Sequence, residues 1–107
     1  MNQIKDTVIN NNNLTPTEFY LSQNYPNPFS ERTTIKFCIA YKTKVKLEVF
    51  NAEGEMIKVL VDEEKEPGTY EAEFYPASSI QHPVSGTYFY QLHAGDFLER
   101  MKMIVTH

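Results

Sequence analysis

The closing stretch Ser85–Val105 constrains the chain most, because polar and apolar side chains alternate on either side of one Gly-Asp pair. A period of two belongs to a strand. A glycine-first dipeptide suits a two-residue II′ turn, whose first central position needs positive φ. With Ala94 and Phe97 flanking Gly95-Asp96, Leu92 falls opposite Glu99, Tyr90 opposite Met101 and Tyr88 opposite Met103. One face then carries Tyr88, Tyr90, Leu92, Met101, Met103 and Val105. The other carries Thr87, Gln91, His93, Arg100 and Lys102, with Phe89 as its apolar exception. A slip of one residue would turn the apolar set to water, so the register is well specified. The C-terminus is expected to be built into the fold.

Earlier segments show the same period. Phe19–Ser22 reads as a short first strand, and Thr33–Ala40 alternates with Ile35, Phe37 and Ile39 on one side. Lys44–Phe50 repeats the pattern with Val45, Leu47 and Val49. Asn51-Ala52-Glu53-Gly54 is a turn with Gly54 placed for a left-handed conformation. Glu55–Val61 is apolar on both sides and reads as the next strand. The run Asp62–Gly68 is expected to be an acidic loop ending in a Pro-Gly type II turn. Tyr70–Tyr75 alternates again until Pro76, and Ala77–Ser85 is expected to be irregular.

Between the first two strands lies Gln23-Asn24-Tyr25-Pro26-Asn27-Pro28-Phe29-Ser30. Two prolines spaced i, i+2 forbid both helix and central-strand pairing. The segment is expected to be extended or polyproline-like, pinned by Tyr25 and Phe29, and to cross from one sheet to the other. Residues 1–17 are polar, contain the run Asn10–Asn13, and read as a disordered or polar linker. The whole predicts an all-β fold over residues 18–107, an antiparallel immunoglobulin-like β-sandwich of six to seven strands.

Composition narrows the function. A chain of 107 residues fits one domain with a core of its own. The net charge of −4 offers no basic excess for nucleic acid, and no apolar run reaches the length of a membrane span. The single Cys38 forms no internal disulfide and has no basic residue directly beside it in sequence to activate it. His82, His93 and His107 lack metal-ligand spacing. The cluster Asp62, Glu63, Glu64 and Glu66 lacks the ligand order and glycine of a calcium loop. No phosphate-binding glycine loop is present, since the four glycines sit at separate turns. Catalysis therefore finds no support, and neither a metal nor a cofactor is expected. Tyr25, Tyr41, Tyr75 and Phe89 fall outside the cleanest core pattern and leave a binding platform open.

Five motifs carry a resemblance to a known family. Leu21–Phe29 followed by Thr33-Thr34-Ile35-Lys36-Phe37 resembles the opening motif of the type A C-terminal sorting domain of the type IX (Por) secretion system. Val49–Gly54 resembles its strand–turn–glycine element, and Pro67-Gly68-Thr69-Tyr70 its proline-glycine-x-tyrosine turn. Ser85–Tyr90 and Lys102-Met103-Ile104 resemble its closing hairpin. The likeness covers about residues 19–105. This chain departs from the family pattern at Ser30-Glu31-Arg32, in the longer loop Ser78–Val84 and in its less basic ending.

The resemblance implies an address for export in place of an activity. A cargo domain would precede the signal in the same polypeptide and reach the periplasm by an ordinary leader. The folded domain would then be passed through the outer-membrane translocon, and a surface signal peptidase or sortase would remove it. The expected destination is the cell surface or the medium, with no nucleic acid, no membrane insertion and a monomeric state. The residues expected to carry recognition are Asn24, Pro26, Asn27, Pro28, Phe29, Gly54, Gly68, Gly86, Tyr88, Arg100, Lys102, Met103, Ile104 and Val105. The competing reading is a carbohydrate- or protein-binding module on the same fold, because fold does not fix function. A small hydrolase would need convergent titratable side chains in a pocket.

Overall fold

A computed structural model describes residues 15–79 and 84–106. The linker expected over residues 1–17 falls almost wholly outside the described residues, as do His82, His107 and most of the loop before Val84. Among the described residues, seven strands form two antiparallel sheets: β1 (Tyr20–Leu21), β2 (Thr33–Ile39), β3 (Thr43–Phe50), β4 (Met56–Lys65), β5 (Gly68–Phe74), β6 (Gly86–Ala94) and β7 (Phe97–Val105). The orders are β1-β2-β5 and β4-β3-β6-β7. This is the immunoglobulin-like sandwich that the strand spacing implied.

Alternation decides what is buried. Ile35, Phe37 and Ile39 from β2 meet Val45, Leu47 and Val49 from β3 and Tyr88, Tyr90 and Leu92 from β6 across the interface. Phe37 stacks on Tyr70 at 5.6 Å between ring centroids. Each such side chain, fully buried, contributes about 1.5–3 kcal/mol. The β6–β7 register is the one read from sequence, with Leu92 opposite Glu99, Tyr90 opposite Met101 and Tyr88 opposite Met103. Gly95 holds φ at +59°, as its turn requires.

Several expectations are corrected. The acidic run is not a loop, because β4 continues through Asp62–Lys65. Its carboxylates lie beside lysines of β3 and of the turn before it, with Lys44–Asp62 at 3.4 Å and Lys42–Glu66 at 3.6 Å. Charge complementarity between neighbouring strands thus extends the pairing. The Pro67-Gly68 turn is not type II. Gly68 has no positive φ and instead opens β5 opposite Ile39. The two-sided apolar pattern of β4 arises from register shifts at Leu47/Glu48 and Val49/Phe50. An extra residue changes which face follows it, so Ile57, Leu60 and Val61 all reach the core cluster. The stretch after Pro76 begins as a single helical turn, α1 (Pro76–Ser79), where proline is compatible with a first helical position.

Candidate recognition surface

The segment between β1 and β2 does cross the sandwich, and its anchors are now explicit. Ser22 and Tyr25 pair with Lys36 and Thr34 of the three-stranded sheet. Phe29 then forms a parallel bridge to Val105 of the four-stranded sheet. The chain bends at Pro26, Asn27 and Pro28 between its two bridge residues, so the segment is neither extended nor polyproline-like, and both Tyr25-Pro26 and Asn27-Pro28 are cis. Phe29 pins it as expected, buried and edge-on to Phe74 at 6.3 Å. Tyr25 does not, since its side chain is 81% exposed and only its backbone pairs.

The residue that replaces Tyr25 as anchor is Asn24, buried to 2% exposure. Its backbone N–H donates to Tyr90 Oη at 2.8 Å, and that hydroxyl donates to the Ser22 carbonyl at 2.7 Å. Asn24 Nδ2 donates to Thr33 Oγ1 at 3.0 Å and to the Pro26 carbonyl at 3.2 Å, while Thr33 Oγ1 donates to the same carbonyl at 2.8 Å. Gln23 Nε2 donates to Asn24 Oδ1 at 2.7 Å. Every polar atom of the Asn24 side chain has a partner, which is the condition for burying an amide without a large penalty. Burial pushes the Tyr90 phenol up to about 12, against the Asn24 N–H, which favours the phenolate.

The same segment binds the outer edge of β7. Gln23 Nε2 donates to the Lys102 carbonyl at 2.8 Å, and the Ile104 N–H donates to Asn27 Oδ1 at 2.9 Å. The Phe29 N–H donates to the Ile104 carbonyl at 3.1 Å, and the Thr106 N–H to the Phe29 carbonyl at 2.7 Å. β7 is therefore paired on one side by β6 and strapped on the other by residues 23–29. A terminal strand with one open edge is prone to fraying and to foreign pairing. Here both edges of its final turn of sequence are tied.

These contacts bring Asn24, Pro26, Asn27, Pro28 and Phe29 together with Lys102, Met103, Ile104 and Val105. Gly86 joins them opposite Val105, and Tyr88 sits opposite Met103. Gly54 lies in the β3–β4 turn at the same end of the sandwich, where Asn51 accepts from Glu53 and Glu55 amides. Gly68 is at the opposite end, beside Ile39. Arg100 and Lys102 are exposed on the outer face, and Arg100 lies 4.5 Å from the Phe50 ring centroid and 5.9 Å from that of Phe89. Sequence reasoning missed Tyr90, Thr33 and Phe50. Tyr90 was visible only as an inward aromatic, and nothing local ties its hydroxyl to a segment 66 residues earlier.

Among the described residues, no three His, Cys, Asp or Glu converge as a metal site requires. Cys38 is half-buried, with Sγ 3.6 Å from Thr69 Oγ1, and His93 stands exposed on its strand. What the geometry offers is a shaped surface tied by hydrogen bonds between residues 23–29 and β7. A family model described as a secretion system C-terminal sorting domain matches residues 23–106. No curated protein and no solved structure matches the chain.

Proposed function

This chain belongs to the family of secretion system C-terminal sorting domains, and on that premise we propose how it is read. It is a non-catalytic sorting signal for type IX secretion, and the feature offered for recognition is the folded assembly of strap and last strand. The observation that carries this reading is the ladder from Gln23, Asn27 and Phe29 onto Lys102, Ile104 and Thr106. A signal built this way exists only when the N-terminal and C-terminal ends of the domain have come together. Unfolded chain would not present it.

The remaining steps follow from the role. Residues 1–17 form the linker to an upstream cargo, and the translocon engages the monomeric domain in the periplasm. A surface peptidase or sortase then cuts in that linker and leaves the cargo on the surface or in the medium. Asn24, Pro26, Asn27, Pro28, Phe29, Gly86 and Tyr88 shape the assembly, while Lys102–Val105 supply its strand. Gly54 and Gly68 serve the turns that frame it. The family supports this reading over a carbohydrate- or protein-binding module.

The test is a periplasmically targeted reporter carrying residues 1–107 at its C-terminus in a type IX-competent bacterium. Delivery to the surface or medium is expected, and retention in the periplasm in an otherwise isogenic translocon mutant. A reporter retained in both strains, while a known tag is delivered, overturns the reading.

A further inference from the structure

Among the described residues, Arg32, Lys36, Lys42, Lys44, Lys46 and Lys65 each have a carboxylate within ion-pair distance. Lys58, Arg100 and Lys102 do not. Two of these three lie on the outer face of β7, two residues apart and so on the same side. Glu48, in the same cross-strand row as Arg100, is paired with Lys46 at 4.0 Å. A chain of net charge −4 therefore presents an uncompensated cationic pair at one place on its broader sheet.

The surroundings are apolar. The cross-strand row through Met56, Phe50, Phe89 and Lys102 lies beside the row through Val59, Glu48, Gln91 and Arg100. Met56 is 49% exposed, while Phe50, Phe89 and Ile104 are half-buried. Arg100 Nε donates to Gln91 Oε1 at 3.2 Å, and its guanidinium lies over the Phe50 ring. Ring and amide hold the guanidinium in place and leave its other N–H donors free. A preorganised fork of this kind matches a carboxylate in bidentate geometry.

We propose that the face formed by Phe50, Phe89, Arg100 and Lys102 docks an extended acidic segment of a partner protein, with carboxylates at alternate positions. Residues i and i+2 of a strand stand about 6.6 Å apart. An acidic-x-acidic strand laid over the outer face of β7 therefore meets Arg100 and Lys102 in step. This inference rests on the sorting reading, because it names the chemistry of the partner that reads the domain.

The full chain is titrated with a blocked Thr-Glu-Val-Glu-Thr peptide at low salt, with amide and side-chain shifts followed by NMR. A Thr-Lys-Val-Lys-Thr peptide and vesicles of anionic phospholipid serve as the other arms. Shifts at Phe89, Gln91, Arg100 and Lys102 with the glutamate peptide are expected, and at least tenfold weaker binding for Lys102→Glu. Lys102 makes no side-chain contact that folding needs, so an unchanged melting curve is expected for that variant. Arg100→Lys keeps the charge and removes the fork, and is expected to weaken binding about threefold or more. Equal binding by wild type and Lys102→Glu, or binding by the vesicles alone, overturns the proposal. In the reporter assay, delivery of wild type and Lys102→Glu alike refutes the patch while leaving the sorting reading intact. Retention of wild type itself refutes the sorting reading.

Discussion

Replacing Tyr90 with phenylalanine removes one oxygen and keeps the ring that fills the core. That oxygen takes the Asn24 N–H and donates to the Ser22 carbonyl, so two backbone groups lose their partner together. An orphaned buried group costs about 1–3 kcal/mol. Asn24 is buried, whereas Ser22 is half-buried and partly open to water, so the pair together comes to about 2–4 kcal/mol. In a domain of this size each kcal/mol lowers the melting temperature by about 4–8 °C, giving a fall of roughly 10–30 °C. Calorimetry on the full chain and on Tyr90→Phe measures it, with hydrogen exchange at Asn24 as a local readout. A variant melting within about 2 °C of wild type would refute the claim that this hydroxyl fastens the strap.

Four further outcomes follow from the same contacts. The Tyr90 pKa is raised to about 12 in the folded chain, so the folded state holds its proton longer than the unfolded state does. Stability from this group is full below about pH 10 and declines as pH climbs toward 12, and alkaline titration of Tyr90→Phe should show a shallower decline. Asn27→Ala removes the side-chain acceptor of the Ile104 amide, at about 0.5–1.5 kcal/mol, and should speed exchange at Ile104 far more than at β6 amides. Phe29→Ala deletes a buried ring packed against Phe74 and should cost about 3–5 kcal/mol by denaturant titration. Lys44→Ala breaks an exposed pair with Asp62 and should change stability by no more than about 1 kcal/mol.

The final hairpin was legible because its information is local. Gly95-Asp96 sets the turn, and two alternating runs of equal length then leave one register that buries both apolar sets. β2 and β3 were legible for the same reason. The acidic run of β4 was misread because the lysines that neutralise it lie about twenty positions earlier, and only pairing brings them alongside. The proline-rich strap announced that it could not be a central strand, and that it would change sheets. Which edge it would cover was not written in its own residues. Tyr25 looked like its anchor by hydrophobicity, yet the chain buries the amide of Asn24 instead, because Thr33, Gln23 and Tyr90 supply its partners. The cationic pair on β7 could be seen in sequence beside Phe89, whereas Phe50 beneath Arg100 required the sheet order.

The account depends on the last strand being held at both edges as part of one folded surface. Amide hydrogen exchange at Ile104 and Thr106, the two β7-side donors to the strap, measures this directly on the full chain. Protection equal to that of the central β6 amides is predicted, with both opening only when the whole domain unfolds. Exchange at those two amides as fast as in an unstructured tail, alongside a protected β6, would contradict it.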